Sequence, residues 1–453
     1  MRKTLEASWA WIYTALFGMY IVESLTGSEI VRLAEGALCL LALAVSLPGA
    51  RLMFRVISLA FFAAGTVCIL WSGAGVTDFL TAMTSNGVLF ALLFVLPSIN
   101  RTIRVGGYAR NLSRWLSGRS DNLGLLFVRS TVVSYIMSLF LFLAAVPLAH
   151  SVLDKQLKGQ PPEVRSRFMA MTILRGYGTV AVWSPVEPLV AMAAVITGAS
   201  YLSLLPFVLL VSALLLLFTA MTGRLRFRGV AFVGVHEETA AGQVSGRSFA
   251  GLFAGLALLI LAASGCQLLL GVSFFEALTF VMVPFACAWA AVRGRLRRFL
   301  LAARAQWPRD IAGLPNLLVL FMSFGLFNGA VKDTPIPELL AGPVSALAGQ
   351  PLLLYVIMAA AGLLLPVAGV HPLVIMGLFG VILQPVLSDL PPVSVAVVMI
   401  VTSLASSSMG TFNTTVALLS GLLQLNPYRI TWWNFGYGVV FAAAGVAAGL
   451  LLL

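Results

Sequence analysis

The chain has 453 residues, of which 60% are hydrophobic and 10% charged, and its mean hydropathy is +1.01. A soluble domain carries roughly 25% charged residues, so the composition excludes an ordinary soluble protein and indicates a polytopic membrane protein. The formal net charge of +12 does not indicate nucleic-acid binding, because the basic residues stand in short runs between apolar segments, as the positive-inside rule expects.

Four apolar runs open the chain, near 7–26, 30–48, 54–73 and 78–99, and each has about the length of a membrane-spanning helix. Basic loops as a rule face the cytoplasm, so this pattern predicts a cytoplasmic N-terminus. Residues 1–77 are expected to form scaffold helices. The basic residues around these runs are Arg2, Lys3, Arg51, Arg55, Arg101 and Arg104.

Residues 122–150 form a further long apolar run, followed by a loop that contains Lys155, Lys158, Arg165 and Arg167. If the run crosses the membrane once, this basic loop lies outside, against the charge rule. If the run is a re-entrant hairpin, the loop stays inside. The charges favour the hairpin, and a single span is the alternative.

The next segment, 168–195, is long enough to span, yet Arg175 to Pro188 reads Arg-Gly-Tyr-Gly-Thr-Val-Ala-Val-Trp-Ser-Pro-Val-Glu-Pro. Glycine and proline weaken or end a helix, and a break at membrane depth is tolerated only where protein or a cavity surrounds it. A broken helix is therefore predicted here. Ser184-Pro185-Val186-Glu187 matches a capping box, with Ser184 as N-cap and Glu187 at the third helical position.

Helices are expected at 202–222, 248–271 and 274–292, before the most basic loop of the chain, 293–309. Residues 223–310 thus read as scaffold helices and cytoplasmic loops. A helix at 311–330 then leads outwards.

The C-terminal part repeats this order of elements. Residues 351–388 carry Gly369, His371 and Pro372 in mid-run and suit a second hairpin. A second broken helix is predicted at 392–420, around Ser406–Thr415. The last helix, 431–453, would place the C-terminus outside.

The order of helix, hairpin and broken helix occurs twice, in 78–222 and in 311–453. The charges place the first copy's hairpin entry inside and the second's outside, which is an inverted-topology repeat. The predicted fold is an all-α polytopic membrane protein with about eleven transmembrane helices and two re-entrant hairpins, and with the broken helices at the midplane. Two broken helices in corresponding halves indicate a transporter's binding site.

These features resemble the ion transporter superfamily, which includes divalent-anion/sodium symporters and the arsenite pump subunit. The resemblance is strongest at Ser184-Pro185-Val186-Glu187-Pro188, where many relatives carry Thr-Pro-x-Gly-x-Pro, and extends to Gly369-Val370-His371-Pro372. The paired Ser-Asn-Thr hairpin tips of the carboxylate symporters are absent, since Ser138-Leu139-Phe140 stands at the first tip. The resemblance implies a homodimer and an elevator-like motion, and it selects no branch.

Several residues carry two interpretations. Arg175 could bind an anion or extend to the inner membrane interface, and Glu187 could titrate or only cap a helix. His371 could relay protons or be structural. The serine and threonine residues within Ser406–Thr415 could bind sodium or an oxyanion or only stabilise the break in the helix. The candidate substrate- and ion-binding residues are Ser138, Arg175, Gly176, Gly178, Thr179, Ser184, Pro185, Glu187, His371, Pro372, Ser407, Ser408, Gly410, Thr411, Asn413 and Thr414.

The expected function is secondary active transport of a small anion, a carboxylate or an oxyanion, across a bacterial cytoplasmic membrane. Coupling to sodium is slightly favoured over coupling to protons by the oxygen-rich second break. An anion channel or uncoupled facilitator is the alternative. No nucleophile–base pair, phosphate loop or metal-ligand spacing is seen, so we expect no enzyme, no cofactor and no metal other than sodium. The expected partners are the solute, the bilayer and a second copy of the chain, and no nucleic acid.

Overall fold

The apolar runs form helices, because the bilayer interior offers backbone N–H and C=O groups no partner except those within the helix itself. The computed structural model describes residues 2–116, 122–230, 246–311, 313–336, 338–339, 342, 344, 347 and 349–453. Within these ranges all regular secondary structure is helical, which confirms the predicted all-α class.

Twenty α-helices are assigned in the described residues. In chain order they are α1 Arg2–Thr26, α2 Glu29–Ser46, α3 Leu52–Trp71, α4 Val76–Thr84, α5 Gly87–Gly106, α6 Tyr108–Leu116, α7 Leu123–Leu141, α8 Ala145–Gln156, α9 Pro162–Ala181, α10 Pro188–Thr197, α11 Tyr201–Phe227, α12 Gly246–Leu270, α13 Phe274–Val292, α14 Leu296–Ile311, α15 Pro315–Val331, α16 Pro351–Val367, α17 Pro372–Ile382, α18 Pro392–Met409, α19 Thr414–Leu423 and α20 Pro427–Leu450.

Nine helical stretches of the described chain are long and apolar enough to cross a membrane, or ten if the bent pair α14 and α15 counts as one. The sequence predicted about eleven. The segments expected at 7–26 and 168–195 are helical, as α1 and as α9 with α10, but polar residues and a break keep them out of this count.

The helices group into two units by their contacts. Unit 1 comprises Met1–Gly106, Gly255–Ser345 and Gly380–Pro385, and unit 2 comprises Gly107–Ala254, Ala346–Phe379 and Val386–Leu453. In both segments of the predicted repeat, the first helix belongs to unit 1, whereas the broken helix belongs to unit 2.

The first hairpin region lies in unit 2. Helix α7 ends where Phe142 adopts φ 51° and ψ −135°, and a 3-10 turn, Phe142–Ala144, leads to α8. Helix α6 contacts both α7 and α8, and α8 also contacts α7. Helix α7 is roughly 28 Å long. If α8 continued along the same axis, it would lie at least that far from the N-terminus of α7. These contacts favour a turn at Phe142, but residues 123–156 also count as one of the nine apolar stretches, and the re-entrant hairpin stays a prediction.

Close backbone approaches hold unit 2 together. Helix α9 packs on α7, and α18 packs on α20. At Gly176 a Cβ would lie 2.9 Å from the carbonyl oxygen of Thr131, and at Gly362 it would lie 2.7 Å from that of Thr402. Small residues at such crossings are the usual means of packing membrane helices.

Residues 296–311, predicted as part of a basic cytoplasmic loop, instead form helix α14 in unit 1. The sequence contains apolar residues at helical spacing, Phe299, Ala303 and Trp307. Its many arginines obscured this periodicity when only charge was considered.

Candidate functional site

The first broken helix is enclosed by unit 2. Every residue of α9 from Phe168 onwards is buried, and so are the turn 182–187 and the start of α10. The break frees backbone carbonyl groups, and α11 supplies donors to two of them. Ser212 Oγ donates to the Thr179 carbonyl oxygen (2.9 Å), and the Tyr201 hydroxyl donates to that of Trp183 (2.7 Å).

The predicted capping box at Ser184 is wrong. Helix α10 begins at Pro188 with Glu187 as its N-cap residue, and no side-chain capping hydrogen bond forms there. Ser184 lies in the preceding turn, where its carbonyl oxygen accepts from the Glu187 N–H (3.1 Å). Both Ser-Pro and Glu-Pro satisfy the rule that proline follows the N-cap, and the chain uses the second.

Arg175 is buried, with 6% of its surface exposed. Its Nε donates to Asn434 Oδ1 (2.9 Å) and its Nη2 donates to the Trp433 carbonyl oxygen (3.3 Å). The guanidinium lies 4.8 Å from the centre of the Tyr437 ring. Within the described chain no carboxylate lies within ion-pair distance of it. Arg175 therefore points into unit 2 and is held by α20, which excludes the interfacial alternative in this conformation.

Thr179 belongs to the same network, because its Oγ1 and the Tyr437 hydroxyl lie 2.5 Å apart. A second pair of hydrogen bonds involves Tyr135 of α7. The Trp183 indole N–H donates to the Tyr135 hydroxyl (2.6 Å), and this hydroxyl lies 2.9 Å from Ser212 Oγ. One set of hydrogen bonds thus joins the first break to α7, α11 and α20.

The second break is satisfied mainly by its own residues. The Asn413 side chain accepts from the Thr415 N–H (3.2 Å) and so caps the N-terminus of α19. Thr415 Oγ1 donates to the Ser407 carbonyl oxygen (2.7 Å), and Ser408 Oγ donates to that of Ala405 (2.9 Å). Much of this polar cluster therefore stabilises the break.

The two breaks meet in unit 2. A Cβ at Gly178 would lie 3.6 Å from both Ser407 Cβ and the Ser408 nitrogen. Thr411 Oγ1 reaches Thr431 Oγ1 of α20 at 3.0 Å, while Thr414 is exposed. Gly178 of α9 thus contacts Ser407 and Ser408 of α18, whereas Thr411 bonds to α20 and Asn413 bonds within its own segment.

A narrow crevice opens beside the first break. It is lined by polar side chains, Ser138, Ser184 and Glu187, and by Tyr177, Phe142, Val180 and Ala181. It has no room for a water molecule as these side chains stand. The Glu187 side chain has no basic partner within ion-pair distance in the described residues, and Ser138 Oγ has no hydrogen-bond partner there.

The second hairpin tip borders the second break. Gly369 adopts φ 108°, which favours glycine, and a Cβ there would lie 3.6 Å from the Phe412 ring. His371 Nδ1 accepts from the Leu373 N–H (3.3 Å) at the start of α17, whose first residue is Pro372. Pro366 in turn lies close to Gly410, where a Cβ would be 3.1 Å from Pro366 Cβ.

Sequence reasoning missed the partners of these residues. Asn434 and Tyr437 stand three apart on α20 and were passed over as part of an apolar helix, although a buried amide in such a run is an available signal. Tyr135, Tyr201 and Ser212 carry no local signal. The described residues contain no group of three or more His, Cys, Asp or Glu side chains suited to a metal ion.

No protein-family model matches the chain, and no curated protein matches it in sequence. Among solved structures it is similar to the YdaH transporter of Alcanivorax borkumensis, described as having an unusual topology, with a TM-score of 0.58 and 16% identity over 87% of this chain and 98% of that chain. At this identity the likeness concerns the fold alone. The chain is therefore an integral membrane protein with the fold of a membrane transporter.

Proposed function

We propose that this protein is a secondary active transporter for a small anion, a carboxylate or an oxyanion, and not an enzyme. The observation that carries the proposal is Arg175, a buried guanidinium without an acidic partner in the described chain. A buried charge is costly unless it is paired. An anionic solute would supply the missing partner.

The solute would bind along the contact between the two breaks. Arg175 lies three residues before Gly178 on α9, and the N-termini of α10 and α19 would direct the positive ends of two helix dipoles towards the solute. Ser407, Thr411 and Asn413 would contribute polar groups after exchanging some of their present bonds. The crevice beside the first break would have to open to admit a solute.

Coupling is the second part of the proposal. Glu187 has no basic partner in the described residues, whereas most hydroxyls of the second break are already bonded. A proton requires no coordination shell, so the geometry favours protons over the sodium coupling that the sequence slightly favoured. Tyr177 is the other ionisable group that lines the crevice.

The resemblance to elevator transporters implies a homodimer in which one unit carries the solute past another. Such a motion needs two separately packed groups of helices, and the contacts supply two. Unit 2, which contains both breaks, would be the carrier.

Uptake by the purified protein in sealed vesicles tests the function. A panel of labelled carboxylates and inorganic oxyanions would be offered under a pH gradient, a sodium gradient or neither. Accumulation above the external concentration under one gradient is expected. Equilibration without accumulation would instead identify the channel or facilitator alternative.

Replacing Glu187 by Gln tests the coupling. The amide keeps the side-chain shape but cannot bind and release a proton, so we expect solute exchange to continue while uptake driven by a pH gradient is lost. Solute exchange between equal concentrations is the control. Proton-driven accumulation by Glu187→Gln at the wild-type rate would overturn the assignment.

A further inference from the structure

Short connections join helix α14 to an apolar helix on either side of it. Helix α13, one of the nine spanning stretches, ends at Val292, and the apolar helix α15 begins at Pro315. Three residues link α14 to each neighbour, and three residues reach only about 10 Å. The axes of α14 and α15 differ by 62°, so the two helices do not form one straight span.

One face of α14 is packed against unit 1. Phe299 is 2% exposed and lies 5.8 Å from the Arg101 guanidinium, and Trp307 packs edge-on against Phe94 at 5.2 Å. Asp310 pairs with Arg101 at 2.6 Å. The only acidic side chain of α14 is thus directed inwards.

The opposite face is basic and partly apolar. Leu300 and Leu301 are 50% and 60% exposed, and arginines surround them. None of these arginines forms an ion pair within the described chain, whereas the half-buried Arg32 and the exposed Arg429 each pair with a glutamate. The exposed arginines of this face are Arg297, Arg298, Arg304 and Arg309.

We propose that this outer face of α14 is a binding surface for anionic phospholipids. The guanidinium groups would hold the phosphodiester groups, since their geometry matches a phosphate, and Leu300 and Leu301 would enter the adjacent acyl region. A soluble anion would make no use of the two exposed leucines. Each arginine near an anionic surface contributes about fivefold in binding.

The experiment uses the full-length protein in nanodiscs made of phosphatidylcholine and phosphatidylglycerol, with retained lipid measured by native mass spectrometry. The test variant is Arg297→Gln/Arg298→Gln/Arg304→Gln. The matched control, Arg224→Gln/Arg226→Gln/Arg228→Gln, makes the same change of charge at the end of α11. We expect the test variant to lose roughly tenfold or more of its phosphatidylglycerol retention, and the control, whose arginines also end a spanning stretch, to lose clearly less because it leaves the face of α14 intact.

Two further measurements separate the outcomes. Leu300→Ser/Leu301→Ser should also reduce phosphatidylglycerol retention, because these two leucines would enter the acyl region. Millimolar inorganic phosphate should not displace the bound lipid. Equal retention by the arginine variant and the unmodified protein, equal loss in the α11 control, or displacement by phosphate would each overturn the proposal. A thermal unfolding midpoint like that of the unmodified protein establishes that each variant is folded.

Discussion

The residue that most constrains the proposed site is Arg175, and its partner Asn434 offers a direct test. Asn434→Asp keeps the side-chain size and places a carboxylate where an amide oxygen now accepts from Nε at 2.9 Å. The resulting internal ion pair would compete with an anionic solute. We expect KM for uptake to rise about tenfold or more, since a charged hydrogen bond contributes about 1.5–3 kcal/mol, while the unfolding temperature stays equal or rises.

Asn434→Leu is the comparison, because it removes the hydrogen bond without adding a charge. Arg175→Gln should lose uptake altogether. If Asn434→Asp transported the solute with an unchanged KM, Arg175 would be a structural residue, and the anion would have to bind elsewhere.

The sequence indicated the charged residues of the proposed site but not their hydrogen-bond partners. Arg175 and Glu187 were found because an ionisable group in an apolar run is conspicuous. Asn434 and Tyr135 were not found, since their roles depend on contacts with residues far away in the chain. The predicted start of α10 was wrong for a related reason. Ser184-Pro185 and Glu187-Pro188 both fit the rule that proline follows the N-cap residue, and tertiary packing decides that the helix begins at Pro188.

At the scale of elements, the two breaks are stabilised differently. The carbonyls freed at the first break rely on Ser212 and Tyr201 of α11, whereas the second break uses Thr415 and Asn413 of its own chain segment. The sequence indicated both breaks but could not show this asymmetry. The first break therefore depends on α11 staying in place.

Ser212→Ala tests that dependence. The change leaves the buried Thr179 carbonyl without its donor and removes a partner of the Tyr135 hydroxyl, so we expect a loss of about 1–3 kcal/mol of stability. Ser134→Ala is the matched control, because that buried hydroxyl has no hydrogen-bond partner among the described residues. Chemical unfolding of both variants in the same detergent measures the difference. Equal stability of the two variants would contradict the role assigned to α11.

At the scale of the whole molecule, charge and hydropathy predicted the helical class, because it depends on long apolar segments, whereas the inverted repeat stays a prediction. The position of α14 was not predicted. Its arginines suggested a loop, and only the packing of Phe299 and Trp307 against unit 1 reveals a helix. The division into two units also depends on contacts between distant helices, which charge does not encode.

Orientation in the membrane is the last prediction. Arginine-rich connections such as those around Arg51, Arg101 and α14 should face the cytoplasm, which places the N-terminus inside and the C-terminus outside. A cysteine added after Leu453, in a variant without the four native cysteines, should react with an impermeant maleimide in intact cells. Arg297→Cys on α14 should react only after lysis. Labelling in the reverse order would invert the topology and would place the proposed lipid-binding face at the outer leaflet.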